Sequence, residues 1–416
     1  MRTIWIIDHY SSEPEYGGIS RHYDFAKELG KRGYRVVVIV SGFSHYTHQY
    51  ISKKEVKLST VAENIYYVYL KTVGYEVNNS MKRAESMVSF LAQVLRWESR
   101  IAEKYGKPDV VTGCSIHPLA WIAAYRIAKK YKIRFVAEVR DFWPQVWVDS
   151  KTRKPMDPMV LFFGALEKWT YKHADRIIYT QYHGDRYICG RMGIPREKAI
   201  QIGQVMDCER YDQNREKIEL IPEALREFIL EGFVCAFTGY YMEYNGIYTM
   251  LEAAKILKER GLPIKMIFVG SGQEKENMLH YVKTNQLDQV LIGERIGREA
   301  VPALISRCDV CIAQAAHKGK PYVYQYGVSP LKINEYLYSG VCTLFGFPFS
   351  DNEVVESGGG LQFEPYNSED LADKIQYVYE LNQDERKEYG KRARDYYEKH
   401  HSVKVLTETL LEALFL

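Results

Sequence analysis

The sequence of 416 residues lacks several patterns that assign a chain quickly to a class of protein. No apolar run approaches the roughly 18–20 residues of a membrane span, which disfavours an integral membrane protein. The net charge is only +3, so the basic excess typical of nucleic-acid-binding proteins is missing. Neither G-x-x-x-x-G-K-[ST] nor G-x-G-x-x-G occurs, which disfavours a P-loop NTPase and a dinucleotide-dependent oxidoreductase.

Cysteine is also scarce, and its spacing does not suggest a set of disulfides. The seven cysteines are spread singly, apart from Cys308 and Cys311 in RCDVCIAQ. That stretch is typical of the entrance to a buried strand, so we interpret its C-x-x-C as structural rather than redox-active or zinc-binding. Met1-Arg2 leads directly into the strand-like IWII, which predicts no signal peptide. We therefore expect a cytoplasmic protein with reduced thiols.

Apolar runs of strand length alternate with amphipathic, helix-like segments along nearly the whole chain. Such alternation is typical of parallel sheets whose strands are joined by crossover helices that cover both faces. The expected strands of the first half are TIWIID (3–8), YRVVVIV (34–40), NIYYVYL (64–70), DVVTGC (109–114), RFVAEV (134–139) and DRIIYT (175–180). Those of the second half are FVCAFTG (233–239), IKMIFVG (264–270), QVLIG (289–293), DVCIAQ (309–314) and VCTLFG (341–346).

This pattern predicts an α/β fold with two doubly wound, Rossmann-like domains, since 416 residues exceed what one core usually supports. We place the N-terminal domain at 1–210, a polar and then helical linker at 211–232, and the C-terminal domain at 233–385. A charged helical tail at 386–416 is expected to pack back on the N-terminal domain.

Three turns of the first half carry residues that suit a ligand site, because open parallel sheets bind ligands at the carboxyl ends of their strands. Gly17-Gly18 precedes a helix and lets backbone amides approach an anion, although an ordinary loop explains it as well. His117 follows the fourth strand and is either structural or catalytic. Arg140 and Asp141 leave the fifth strand beside two aromatic residues, as a structural clamp or as a site for a polar ligand.

Small residues follow the first two strands of the second half. Gly239 and Asn245 lie in the turn GYYMEYNG, and Gly270, Ser271 and Gly272 form the next one. Residues of this size allow the backbone to contact a phosphate or a sugar, and they are equally common in simple tight turns.

A short helix, roughly from Leu331 to Tyr338, is expected after the fourth strand of the second half. Ser329-Pro330 has the pattern of an N-cap followed by proline at the first helical position, and Gly340 suits the C-cap. The positive end of such a helix favours an anion.

Lys332 and Glu335 are three residues apart and therefore share a face of this helix. Glu335 lies about 7 Å further along the helix than its start, which is comparable with the separation of a nucleotide's distal phosphate from its ribose. Either this face binds a nucleotide, or the two side chains form an exposed pair worth a few tenths of a kcal/mol.

Taken in order, these motifs resemble family 4 retaining glycosyltransferases with GT-B architecture. The bacterial cell-surface branch, with L-N-acetylfucosamine and N-acetylhexosamine transferases, is the most similar. The resemblance spans nearly the whole chain. It is carried by EYGGISRHYDFAKELGKRGYRVVVIV, EVRDFWPQ and ALEKWTYKHADRIIYT in the first half and by GYYMEYNGIYTMLEAAKIL, IKMIFVGSGQEKENM, ERIGREAVPALISRCDVCIA and YGVSPLKINEYLYSGV in the second.

The resemblance implies two domains with an interdomain cleft and a retaining transfer of a sugar, of N-acetylhexosamine type, from a UDP-sugar. The implied acceptor is a glycan or a polyprenyl-diphosphate-linked sugar in polysaccharide synthesis, such as that of lipopolysaccharide or capsule. No cofactor and no metal are implied, and no Asp-x-Asp tripeptide is present to bridge a metal to a diphosphate. The enzyme would be cytoplasmic with peripheral contact to the inner leaflet. The basic residues Arg126, Lys129, Lys130, Lys132 and Arg134 suit contact with anionic lipid, or simply a solvated helix end.

By motif, Glu335 matches the family's ribose-binding carboxylate and Lys332 the lysine near the diphosphate. Gly17-Gly18 matches the glycine turn near the donor phosphate, and His117 the histidine near the reacting sugar, which makes His117 and Lys332 the candidate catalytic residues. Arg140 and Asp141 are candidates for the acceptor. Further candidates for donor binding are Gly239, Asn245, Gly270, Ser271, Gly272, Arg295, Gly327, Val328 and Ser329.

Two positions depart from the family pattern. Gly327 stands eight positions before Glu335, where the family's E-x7-E pattern has a glutamate. Glu243 occupies a turn that often carries a basic residue in near relatives, which leaves more of the diphosphate charge to Lys332 and Arg295. These departures leave room for an inactive partner subunit that only binds a nucleotide sugar. Two enzymes of the same two-domain architecture, a nucleotide-sugar 2-epimerase and a phosphorylase, are further alternatives.

Overall fold

The computed structural model describes residues 1–17, 20–77, 80–115, 117–320 and 324–416, which form two compact units. The N-terminal unit comprises Met1–Val205 and Val403–Leu416, and the C-terminal unit comprises Met206–Ser402. Each unit is built on its own sheet with helices between the strands.

An eight-stranded sheet forms the centre of the N-terminal unit. The strands of this sheet are β1 Thr3–Ile7, β2 Arg35–Ser41, β5 Val56–Ala62, β6 Ile65–Leu70, β7 Val110–Cys114, β8 Arg134–Val139, β9 Arg176–Tyr179 and β10 Ala199–Gln201. Two short strands, β3 Phe43–Ser44 and β4 Gln49–Tyr50, form a separate antiparallel pair. The order is β10-β9-β8-β7-β1-β2-β6-β5, and all neighbours are parallel except the pair β5 and β6. The helices of this unit are α1 Arg21–Lys31, α2 Met81–Tyr105, α3 Leu119–Tyr131, α4 Gln145–Asp149, α5 Pro158–His173 and, from the end of the chain, α15 Val403–Phe415.

The C-terminal unit contains a fully parallel six-stranded sheet. Its strands are β11 Phe233–Tyr240, β12 Ile264–Ser271, β13 Val290–Gly293, β14 Val310–Gln314, β15 Cys342–Gly346 and β16 Gly360–Phe363, in the order β13-β12-β11-β14-β15-β16. The order reverses between β11 and β14, which is where such sheets open a crevice for ligands. The helices are α6 Cys208–Arg215, α7 Glu223–Ile229, α8 Ile247–Glu259, α9 Lys275–Thr284, α10 Val301–Ile305, α11 Leu331–Ser339, α12 Glu353–Ser357, α13 Ser368–Glu380 and α14 Gln383–His400.

The α/β fold with two Rossmann-like sheets is confirmed, and the predicted strands agree with the observed ones to within one or two residues. The central strands are buried along their whole length, as in β1, β7 and β14, because helices cover both faces of each sheet. Three edge strands, β5, β10 and β16, were not predicted. Exposed and half-buried positions alternate along β5, so its sequence lacks the continuous apolar run that marks the others.

The domain limits differ from those expected in two places. The segment 211–232 is not a separate linker: it lies within the C-terminal unit, where Ile221, Leu225 and Ile229 pack into the same core as β11. The tail 386–416 is divided. α14 belongs to the C-terminal unit, whereas α15 belongs to the N-terminal unit and buries Leu410 and Leu414 against its core. The apolar face of each helix therefore decides which unit it joins.

Within the described part of the chain, no helix combines the length and the apolar composition needed to cross a bilayer. All seven cysteines are free, and Cys308 and Cys311 are buried.

Candidate active site

Helix α11 is held against the carboxyl end of β11 by one buried tyrosine. The backbone N–H of Thr238 donates to the Tyr336 hydroxyl at 2.8 Å, and the Thr238 hydroxyl lies 2.9 Å from the same oxygen. At its other end α11 stops at Gly340, which has a left-handed φ of 75° as expected for its C-cap. A Cβ on Gly390 of α14 would overlap the Gly340 carbonyl oxygen, so the two helices pack with almost no space between them.

The anchored helix places Lys332 beside the last residues of β11. Its Nζ lies 4.4 Å from the centre of the Phe237 ring and has no hydrogen-bond partner among the described residues. Burial lowers the pKa of Lys332 to about 8, against the opposing influence of the Glu335 carboxylate. A buried amine without a partner costs free energy that an anion would offset.

Glu335 lies on the same side of the helix, as its spacing predicted. Burial raises the pKa of this carboxyl group, while the charges of Arg298 and Lys332 act in the opposite direction. Arg295, the predicted donor ligand, is exposed, and Arg298 is the arginine whose charge acts on Glu335. Both arginines lie in the loop ERIGRE after β13, and the prediction named only the first of them.

The first turn of α11 differs from the expected capping pattern. The helix begins at Leu331 with Pro330 as its N-cap, and not with Ser329 as the cap and Pro330 inside the helix. The ψ of Pro330 is 133°, which is extended and not helical. The helix therefore starts one residue later than the Ser-Pro pattern indicated. In the preceding turn the N–H of Gly327 donates to the Tyr324 carbonyl at 2.8 Å, and its φ of 78° requires glycine. Val328 packs on the core that contains Tyr336.

The two glycine turns of the C-terminal unit lie directly against each other. Gly239 and Gly270 are partners in the register of β11 and β12, and a Cβ on Gly270 would overlap the Gly239 carbonyl oxygen. A Cβ on Gly272 would lie 2.5 Å from the Tyr241 carbonyl oxygen. The carbonyl of Ser271 accepts from the Tyr241 N–H at 2.8 Å.

Asn245 stabilises the same turn rather than presenting a free amide, because its Nδ2 donates to the Tyr240 carbonyl at 2.7 Å. The glycines therefore have a packing role whether or not a ligand touches them. The absence of a side chain at Gly239 also leaves space for the Lys332 amine.

A buried ion network occupies the carboxyl ends of β1 and β8 in the N-terminal unit. The His22 ring lies between two carboxylates, with Nδ1 2.8 Å from Asp8 Oδ2 and Nε2 2.9 Å from Glu138 Oε2. Arg21 Nε pairs with Glu138 Oε1 at 2.7 Å, and its Nη2 donates to the Ile202 carbonyl at 2.9 Å. Although burial opposes the charge, the two carboxylates raise the pKa of His22 to about 9.

This network joins the first turn of α1 to the carboxyl ends of β1 and β8. It joins residues 14 and 116 positions away from His22 in the sequence, so only the strand order brings them together. The side chains of Asp8, His22 and Cys114 lie within 4.8 Å of one another. Both ring nitrogens of His22 already face carboxylates, however, and a protonated imidazole is not a metal ligand.

His117 lies at the start of α3 and is buried among rings. Its Nε2 is 2.7 Å from His9 Nδ1, so one of the two imidazoles donates to the other. Phe90 and Tyr10 contact the same ring. Burial lowers the pKa of His117 to about 3, with a nearby arginine, Arg83, contributing in the same direction. His117 is therefore neutral at pH 7 and can act as a hydrogen-bond partner, but not as a cation.

The remaining predicted residues of the N-terminal unit differ in their surroundings. Gly17 has a φ of 67° and its carbonyl accepts from the Ser12 hydroxyl at 2.5 Å, whereas Gly18 lies outside the described residues. Arg140 is buried with Nη1 3.7 Å from Asp8 Oδ2, which makes it part of the ion network. Asp141 is exposed. Of the predicted pair, Arg140 therefore has a structural partner and Asp141 faces solvent.

Two families of known proteins match the two parts of the chain. Residues 16–210 match "Glycosyltransferase Family 4", and residues 227–396 match "Glycosyl transferases group 1". The chain is a glycosyltransferase of the GT-B type. No curated protein sequence matches it significantly.

Solved structures of this glycosyltransferase type are similar to the chain over its full length, at low sequence identity. Sucrose-phosphate synthase from Thermosynechococcus elongatus is 15% identical with a TM-score of 0.70, over 99% of this chain and 98% of that one. HepE from Anabaena, in complex with UDP-glucose, is 15% identical with a TM-score of 0.66, over 99% of both chains. WaaG, a glycosyltransferase involved in lipopolysaccharide biosynthesis, is 14% identical with a TM-score of 0.66, also over 99% of both.

Proposed function

We propose that this glycosyltransferase transfers a sugar, with retention of anomeric configuration, from a UDP-sugar to a glycan or a polyprenyl-diphosphate-linked sugar. The observation that carries the proposal is the Lys332 amine, which is buried at the first turn of α11 and has no hydrogen-bond partner among the described residues. A diphosphate placed there would supply the missing negative charge, and the helix N-terminus would add to its stabilisation.

The rest of the α11 face suits the nucleoside. Glu335 follows Lys332 by one turn, and a carboxylate accepts hydrogen bonds from both hydroxyls of a ribose. Arg298 adds a second positive charge next to this position. The missing glutamate at Gly327 leaves the backbone near Gly327 and Val328 as the group that orients the donor sugar.

The solved structures support a uridine nucleotide and a role in cell-surface polysaccharides. HepE was crystallised with UDP, with UDP and glucose, and with UDP-glucose. WaaG acts in lipopolysaccharide biosynthesis. We extend both features to this chain, with a sugar of the N-acetylhexosamine type as donor group and with the acceptor at the cytoplasmic face of the membrane. The donor is a substrate, and the reaction proposed needs neither a cofactor nor a metal.

In the proposed reaction the bond between the anomeric carbon and the β-phosphate oxygen breaks as the acceptor oxygen forms its bond on the same face. The electron pair of the broken bond stays on the diphosphate, where Lys332 and the N-terminus of α11 stabilise it. The proton of the acceptor hydroxyl passes to an oxygen of the departing phosphate.

A thermal-shift series with UDP, GDP, NAD and several UDP-sugars tests the donor class, because a ligand that binds the folded state raises the melting temperature by mass action. We expect UDP and at least one UDP-N-acetylhexosamine to stabilise the protein. The anomeric configuration of the product, read by NMR, then tests retention. The absence of any shift with uridine nucleotides would contradict the proposal.

The three alternatives give different products. A nucleotide sugar inverted at C2 would indicate an epimerase, and release of the sugar only in the presence of inorganic phosphate would indicate a phosphorylase. Binding of the UDP-sugar without transfer to any acceptor would indicate an inactive partner subunit.

A further inference from the structure

One group of large exposed apolar side chains of the N-terminal unit lies between Val146 and Phe162, and another lies between Val73 and Val88. Met156 is 77% exposed, Phe162 63% and Leu161 51%, at the end of the loop after α4 and on the first two turns of α5. Neighbouring exposed apolar side chains often mark a surface that binds a membrane, another protein or an apolar ligand.

A pocket of about 890 Å³ lies next to these residues, within the size range of small-molecule sites. Its apolar lining consists of Trp143, Trp147, Met156 and Met159. The two indoles contact each other at a tilt of 51° with their ring centres 4.2 Å apart, and both pack edge-on against Phe163 at 5.9 Å, so aromatic contacts hold that side of the pocket in place.

The rest of the pocket is cationic. Arg83, Arg153 and Lys154 line it, against the single carboxylate of Asp157. That carboxylate is already engaged, because Asp157 caps α5 by accepting from the Met159 N–H at 2.8 Å and pairs with Arg153 Nη1 at 2.8 Å. Arg153 also lies over the Trp147 ring at 5.3 Å. The pocket therefore carries an excess of two positive charges beside an aromatic wall.

We propose that this pocket binds the diphosphate end of a polyprenyl-diphosphate acceptor. The first isoprene units would lie on Trp143 and Trp147, and the rest of the chain would pass over Leu161 and Phe162 into the bilayer. This inference rests on the proposed function and deepens it, since it selects the lipid-linked acceptor over a free glycan.

The chemistry of the surface favours this occupant over others. A free glycan would leave Met156 and Phe162 in water, and would need no cations. A plain anionic membrane would attract the cations but would not require a pocket with a rigid aromatic wall. A diphosphate on a prenyl chain meets both requirements, because it is dianionic at one end and apolar directly beyond it.

The basic end of α3 is a weaker candidate for lipid contact. Lys130 pairs with Glu98 and donates to the Ser99 hydroxyl at 2.9 Å, and Lys129 lies over Tyr125. No large exposed apolar side chain is found on α3 itself, which lies wholly within the described residues. Arg126 and Lys129 are therefore a suitable matched pair for a control.

The test measures co-sedimentation of the full-length protein with phosphatidylcholine vesicles. One set contains undecaprenyl diphosphate, and the other contains phosphatidylglycerol at equal charge. We expect binding to the prenyl diphosphate to be tighter by about tenfold or more, and to fall by a similar factor in Lys154→Glu and in Arg153→Gln. Phe162→Ser should weaken it as well. The double variant Arg126→Glu/Lys129→Glu should bind like the unaltered protein.

Stabilisation by UDP is measured on every variant, because it reports both folding and the donor site. If UDP stabilises all variants and the vesicles are not bound, the inference is overturned while the proposed function stands. If no uridine nucleotide stabilises any of them, the proposed function fails first. Equal binding to both vesicle sets, loss of binding in the α3 variant, or self-association that Phe162→Ser abolishes would each overturn the inference.

Discussion

Gly239 and Lys332 lie so close together that a methyl group on Gly239 would stand 2.6 Å from the lysine amine. Gly239 also has a φ of 145°, a conformation that residues with a side chain rarely adopt. The end of β11 is thus shaped to leave room for the charged end of α11. Lysine is flexible, so an added side chain would displace the amine rather than prevent folding.

Replacing this glycine should therefore damage donor use more than stability. We expect Gly239→Ala to lower kcat/KM for the UDP-sugar by about tenfold or more, with a loss of about 1–3 kcal/mol in unfolding free energy from backbone strain. Gly261→Ala is the matched control, because Gly261 has a φ of 71° and a Cβ there would meet nothing within 4 Å. Equal loss of kcat/KM in both variants would show that strain alone, and not the position of Lys332, is responsible.

Lys332→Ala should reduce turnover by more than it weakens donor binding, since the charge is needed most when the diphosphate departs. The pKa of about 8 adds a pH signature: the free enzyme loses this proton as the pH rises through that value, so kcat/KM for the donor should fall above about pH 8. Lys332→Arg keeps its charge and should flatten that limb of the profile. A profile with the same alkaline limb in Lys332→Arg would assign the titration to another group.

Glu335→Ala should weaken UDP binding by about tenfold to a hundredfold, the usual effect of removing a charged hydrogen-bond partner, with a smaller effect on turnover. Titration of UDP by calorimetry measures this directly. Glu231→Ala, at an exposed position of the same unit, removes the same charge and should leave the affinity unchanged. Unchanged affinity in both variants would remove Glu335 from the donor site.

The ion network around His22 predicts a pH-dependent stability. Folding raises the pKa of His22 from 6.5 to about 9. The contribution of its charge to the free energy of unfolding is therefore complete below about pH 6.5 and is lost as the pH rises through 9. Arg21 and Arg140 face the same carboxylates and stay charged over this range. His22→Gln should cost about 3–5 kcal/mol at pH 6, where the ring is charged, and less at pH 9.5. Chemical unfolding at both pH values would detect this, and an equal cost at both would contradict it.

The sequence predicted those helices and strands that are marked by a pattern of neighbouring residues. Fully apolar strands such as β1 and β14 were evident because each run is buried on both faces, and the shared face of Lys332 and Glu335 followed from helix periodicity alone. The edge strands lack that signal. The N-cap predicted at Ser329 was wrong by one residue, because the backbone angles of the preceding loop, and not the residue types, decide where the helix starts.

The buried contacts of the N-terminal unit show why the rest of the site could not be predicted. His22, Asp8 and Glu138 become neighbours only through the strand order β8-β7-β1, which a single sequence does not reveal. The pairing of His9 with His117 depends on the same order. Strand order also made Arg140 part of a buried ion network, although its sequence position favoured a structural and a binding role equally.

The Lys332 amine, which has no hydrogen-bond partner in the described part of the chain, has a consequence for the energetics of donor binding. At pH 8.5 a large share of the free enzyme lacks this proton, and an arriving diphosphate would raise the pKa again and draw the proton back. Nucleotide capture would then be coupled to proton uptake from the buffer. Its apparent enthalpy would change with the ionisation enthalpy of the buffer at pH 8.5, but not at pH 6.5, where the lysine already holds its proton.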